Sequence, residues 1–279
     1  MTMRFLVQPE LNIRDIIDAC TSNLRNGKEK YTSALPQIKQ YSELFDEKMH
    51  SNNAWTLSPH KKVTDDLTKD DMVALYENKF AKQGQPGRKY YDIIKIAPKN
   101  NICPICGIGD VSTLDHYMAK SEYPTLAVTP TNLIPACRDC NTIRGTKIFD
   151  EVADMTLHPY YDDLRNIEWL AARVISRNPI CVEYYVSNTY TNQPMRSRLE
   201  KHLEVFDLRR RYSLKAAEEL SSIRNIIKML LANGGPTTLI GYFELQYQSH
   251  YSNEINSWKT AFYRALREIA PSLSTEDVI

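Results

Sequence analysis

Two Cys-x-x-Cys pairs constrain this chain more than any other feature. Cys103 and Cys106 stand in "CPIC", Cys137 and Cys140 stand in "CRDC", and thirty residues lie between the pairs. Paired cysteines at this spacing read as a metal site before they read as disulfides. Four thiolates close a tetrahedral site around zinc. The glycine after the first pair permits a tight turn. The second pair falls at an expected helix start, where free N–H groups and the helix dipole favour thiolates. The separation exceeds that of a plain zinc ribbon. The intervening segment is therefore an insert held at both ends. Cys20 and Cys181 stand alone and are expected to be ordinary buried residues.

Composition decides what the insert can serve. The chain has 279 residues, 42% hydrophobic and 25% charged, which is ordinary for a globular protein. No apolar run reaches the roughly 18–20 residues that span a bilayer, so no membrane partner is expected. The N-terminal stretch lacks the apolar core of a signal peptide, so the expected location is cytoplasmic. A net charge of +1 means that any nucleic-acid contact must come from a local patch. Residues 86–147 hold eight Lys/Arg against five Asp/Glu, and residues 194–212 hold six against three. The second window alternates sign at helical spacing, the pattern of a solvated helix face.

Punctuation along the chain suggests three regions. Residues 1–85 form an N-terminal helical region, with apolar spacing in "IRDIIDACTSNL" and a Thr68 cap before "KDDMVALYENKFA". Residues 86–148 form a zinc-knuckled unit: a short helix ending before Pro98, strands near 111–116 and 132–136, and a helix from about 138. Residues 149–279 form a C-terminal region, a β-hairpin of "EWLAARVIS" and "ICVEYYVS" followed by helices at 196–207, 213–232, 236–250 and 253–269. The expected fold class is α+β, mainly α-helical, with a small ββα core flanked by helices.

Inside the insert, "LDHY" places Asp115 beside His116, "TNLIP" brings Asn132, and "CRDCN" ends on Asn141. This ordered set, with the cysteine pairs and Gly145, resembles the HNH endonucleases, the ββα-metal or His-Me finger nucleases, with a structural zinc held by four cysteines. The resemblance covers residues 101–148, under a fifth of the chain. It implies that His116 is the general base and that Asn132 orients its ring. It also implies that Asp115 and Asn141 ligate one catalytic ion. An amide ligand at the last position favours a hard ion, magnesium or manganese, over zinc.

Lys120 and Arg144 are candidate phosphate contacts, with Lys147 a weaker one. Tyr117 and Tyr123 are expected to pack the loop, and His158 to pack rather than ligate. The implied activity is metal-dependent hydrolysis of DNA, in anti-phage defence or restriction. The chain has no Walker motif, so an ATPase or other protein partner would be a separate subunit. An RNase on the same site, such as one cleaving tRNA, and a non-catalytic zinc-stapled nucleic-acid-binding module are the competing readings.

Overall fold

The computed structural model describes residues 5–146, 148–274 and 277. They fall into two compact units that meet in sequence at Asp162 and Asp163. No unit boundary falls near residue 85 or 148, where regions were expected to divide. The N-terminal helices and the zinc-knuckled segment are one unit because they share one core.

In the first unit, α1 (Ile13–Thr21) starts where the Asn12 side chain accepts the Arg14 amide at 2.9 Å. Ile13, Ile16, Ile17 and Cys20 bury one stripe. α2 (Lys28–His50) turns Tyr31, Leu35, Ile38, Ser42, Phe45 and Met49 inward. This helix lies within the region expected to be helical and contains Pro36. The structure keeps the helix through Pro36, on the exposed side. α3 (Lys69–Leu75) opens with a capping box in which Thr68 and Asp71 satisfy each other's amides. It runs into a single π-helical turn, Tyr76–Phe80, and α4 (Arg88–Lys95) follows.

The ββα element comes next. β1 (Thr113–His116) pairs antiparallel with β2 (Leu133–Ala136), setting Asp115 opposite Ile134 and His116 opposite Leu133. α5 (Arg138–Arg144) packs back on β1. Two four-residue strands and a seven-residue helix cannot bury a core alone. Leu114, Ala127, Val128 and Leu133 instead join one cluster with Ile16, Leu35, Met72, Phe80 and Ile94. Polar ties reinforce the join. The Ser42 and Thr129 hydroxyls share a hydrogen bond of 2.8 Å, and Thr131 donates to Asp46 at 2.7 Å.

In the second unit, β3 (Leu170–Arg177) and β4 (Ile180–Val186) form the expected hairpin. Strand alternation turns Val182, Tyr184 and Val186 inward and leaves Cys181 exposed, against the expectation that it is buried. α6 (Gln193–Val205) ends at the left-handed Asp207, which splits the basic stretch 194–212 between two helices. Its charges are paired: Arg209 with Glu200, and Arg210 with Asp207 at 2.5 Å.

α7 (Leu208–Asn253) is continuous by hydrogen bonding but reverses at Gly235, with φ 65° and ψ −165°. The reversal follows from Tyr263 on α8 (Trp258–Ile269). Its hydroxyl donates to Glu219 at 2.6 Å while its ring stacks on His250 at 5.4 Å. In a straight helix those two partners would be about 46 Å apart. The "NGGP" turn thus separates two limbs as expected. The last helix begins later than expected, at Trp258, and keeps Trp258, Phe262 and Leu266 buried but not Ile255. No helix among the described residues is long and apolar enough to cross a membrane.

The shared core makes a prediction. Phe80 is fully buried, so Phe80→Ala should cost about 3–5 kcal/mol. Urea unfolding should show the helices and the ββα element lost in one transition; separate transitions for the two would contradict a common core.

Candidate active site

The four cysteines converge. Their sulfurs all lie within 4.8 Å of one another, and all four residues are buried. Cys106 Sγ and Cys137 Sγ are 3.8 Å apart. Tetrahedral coordination with Zn–S bonds of about 2.3 Å spaces sulfurs about 3.8 Å apart, so the donor set fits zinc. The first knuckle is closed by Cys103 N–H donating to Gly109 O at 2.7 Å and by Gly107 N–H donating to Cys103 O at 2.8 Å. Gly107 is left-handed at φ 66°. A methyl group at Gly109 would sit 2.9 Å from both Cβ and Sγ of Cys137. Cys137 caps α5, and Cys140 lies in its first turn. Hydrogen bonds from Cys103, then Cys137 and Cys140, pull the Cys106 thiol strongly down. Cys137 is pulled down to about 6, chiefly by Cys103.

The second cluster sits where β1 ends. His116 Nε2 bonds Ala127 O at 2.9 Å. A carbonyl only accepts, so Nε2 carries the proton and Nδ1 keeps the lone pair of a base. Burial pulls the His116 pKa down to about 3, which keeps the ring neutral at physiological pH. Beside it, Asp115 is 5% exposed, and its buried Oδ2 accepts no hydrogen bond. Burial raises its pKa to about 6, opposed first by Arg144. A buried carboxylate oxygen without a donor is the position a cation would satisfy. Asn141 lies one turn before Arg144 on α5, hence on the face that meets β1. The unsatisfied Asp115 oxygen is chemically suited to a cation.

Two residues sit differently from expectation. The Asn132 side chain hydrogen-bonds loop backbone rather than the His116 ring. Its Oδ1 accepts from Met118 N–H at 2.7 Å, and its Nδ2 donates to Met118 O and Leu126 O at 3.0 and 3.1 Å. It sets the loop whose next carbonyl, Ala127 O, holds the imidazole. Arg144 is not a surface phosphate clamp. It is 5% exposed, donates to Tyr117 O at 2.6 Å, lies 3.8 Å from Asp115 Oδ2 and stacks on the Tyr117 ring at 4.3 Å. Helix α5 turns it inward toward Asp115. Lys120 stays partly exposed and pairs with Glu77 at 3.5 Å. Lys147 lies outside the described residues.

The remaining aromatic residues pack. Tyr117 and Tyr123 are buried, bonding Thr156 O at 2.7 Å and Leu57 O at 3.2 Å. His158 is buried 4.4 Å from the Tyr117 ring and joins no metal-ligand cluster among the described residues. Two residues at the site were missed from sequence. Tyr76 lies against the His116 ring, and Glu77 against Lys120. Forty residues separate Tyr76 from His116, and no spacing rule links them.

Two short antiparallel strands, a following helix and four clustered cysteines make up a ββα element. The family model described as HNH endonuclease matches residues 103–147. The chain is 26% identical to Protein ea31 of Escherichia phage lambda over 288 aligned positions, covering 95% of this chain and 97% of that protein. It is 28% identical to Septu protein PtuB of Bacillus thuringiensis over 85 positions, 29% of this chain and 32% of that one. No solved structure matches the chain significantly.

Two outcomes follow. Purified protein should contain one zinc per chain by elemental analysis, and Cys140→Ser or Gly109→Ala should lower that content; full zinc in Cys140→Ser would contradict the four-sulfur site. In an NMR titration, His116 should show no midpoint above pH 5. Its folded pKa is depressed below about 6.5, so its contribution to stability is present above that value and is lost as pH falls toward 3. A His116 midpoint near 6.5 would contradict the buried, carbonyl-bonded ring.

Proposed function

We propose that this chain is a metal-dependent endonuclease that hydrolyses phosphodiester bonds of DNA, with His116 as the general base. The observation that carries this reading is the pairing of a neutral, carbonyl-anchored imidazole with a buried carboxylate oxygen that lacks a donor. His116 Nδ1 would take a proton from water as the water oxygen bonds to phosphorus and the bond to the 3′ oxygen breaks. The Nε2–Ala127 hydrogen bond leaves the Nδ1 lone pair as the one available to accept a proton. Asp115 and Asn141 would hold magnesium or manganese, which when bound supplies positive charge to the phosphate and the departing oxygen. Arg144, close to Asp115, adds fixed positive charge, and Asn132 keeps the loop that anchors the imidazole. Lys120, with part of its side chain in solvent, is the residue placed to meet a backbone phosphate.

The biological setting we propose is anti-phage defence or restriction, in the cytoplasm. A near-full-length likeness to a phage protein and a partial likeness to a Septu protein support a role where phage and host meet. A separate ATPase or other subunit would complete such a system. Co-purification from the native host, read by mass spectrometry, tests for that subunit.

Activity is tested by plasmid nicking with magnesium, alongside digestion of total RNA. His116→Ala should lower the rate about 10²- to 10⁴-fold, with zinc content unchanged. Asp115→Ala and Asn141→Ala should raise the magnesium concentration needed for half-maximal rate. Undiminished nicking by His116→Ala would remove the base from the mechanism, and cleavage of RNA alone would move the substrate to RNA.

A further inference from the structure

We infer that Tyr76, outside the family-matched segment, is a positioning residue for His116, so that the N-terminal helices complete the nuclease centre. The inference rests on the proposed role of His116 as base. One hydrogen bond, Nε2 to Ala127 O, fixes a point on the imidazole but not its plane. The ring can still turn about that bond. The Tyr76 ring supplies the second constraint. Its centroid lies 4.4 Å from that of His116 at an interplanar angle of 66°, an edge-to-face contact.

Tyr76 is itself held. Its ring stacks on Phe80 at 5.6 Å and 29°, and Phe80 is fully buried. Both belong to the π-helical turn Tyr76–Phe80, the one such turn among the described residues. Single π-turns are uncommon and recur beside functional sites. Lys120 Nζ lies 5.3 Å from the Tyr76 centroid and 3.5 Å from a Glu77 carboxylate oxygen, so the same turn also borders the expected phosphate contact. The matched segment starts only at residue 103. The base is therefore oriented from one side by its own loop and from the other by a turn that the family motif does not contain.

The test uses the full chain with Tyr76→Ala and Tyr76→Phe. In plasmid nicking, Tyr76→Ala should lower kcat by about tenfold to a hundredfold with KM within about twofold, the cost of a misplaced reacting group. Tyr76→Phe, which keeps the ring, should restore most of kcat. Zinc content and melting temperature report whether the alanine variant is folded. A second readout needs no activity. In histidine-labelled protein, the His116 ring carbons should lose their ring-current shift and gain mobility in Tyr76→Ala, but not in Tyr76→Phe.

Nicking undiminished in His116→Ala would overturn His116 as the base while leaving the ring measurement to decide the positioning. Unchanged kcat in a folded Tyr76→Ala, or an unchanged His116 ring signal, would overturn the inference about Tyr76. Where the alanine variant fails to fold, Tyr76→Leu takes its place: a lower kcat and an altered His116 ring signal are expected, and an unchanged kcat or ring signal in folded Tyr76→Leu would overturn the inference.

Discussion

Four buried sulfurs within 4.8 Å of one another are the constraint on which the rest of this site depends. Thiolates packed this closely repel one another unless a cation lies between them, and thiols packed this closely compete for protons. A zinc ion among them would resolve both problems and would tie residue 103 to residue 140. The thirty residues between the pairs would thereby be pinned at each end. A loop with little regular structure can then hold Asn132 and Ala127 in place. Without the staple, the two short strands and α5 would rest only on their share of the common core.

The second constraint is charge. Asp115 is buried beside Arg144 yet keeps one oxygen without a donor. An apolar core would not tolerate this arrangement, whereas a metal-dependent centre uses it. Burial acts on neighbours with opposite effect. It raises the Asp115 pKa to about 6 and lowers that of His116 to about 3. The imidazole thus stays neutral as a base. The carboxylate has Arg144 nearby for partial charge compensation, while its Oδ2 accepts no hydrogen bond. The site is held from two sides, by its own loop through Ala127 and by the Tyr76–Phe80 turn.

Much of this was legible from residue order. Cys-x-x-Cys, Asp-His, Asn and Cys-x-x-Cys-Asn appear in the order in which a ββα element presents them. The strand and helix positions at 113–116, 133–136 and 138–144 lie within a few residues of those expected. Contacts set by tertiary packing were not legible. Arg144 looks like a surface cation in sequence, but α5 turns it inward. Asn132 reaches the imidazole only through the backbone of its loop, a path that no motif spells out. Tyr76 meets His116 across forty residues through a core shared by both segments. That core also erased the division expected near residue 85. Within the region expected to be helical, α2 contains Pro36. The chain accommodates it by keeping the proline on the solvent side.

The central claim is that this chain carries two metal sites with separate jobs, one to hold the loop and one to support hydrolysis. A crystal of the protein soaked in manganese, with anomalous data at the zinc and manganese edges, tests it most directly. The account predicts a zinc peak among Cys103, Cys106, Cys137 and Cys140 and a manganese peak within bonding distance of Asp115 Oδ2 and Asn141. Manganese bound elsewhere, with Asp115 still paired only to Arg144, would contradict it.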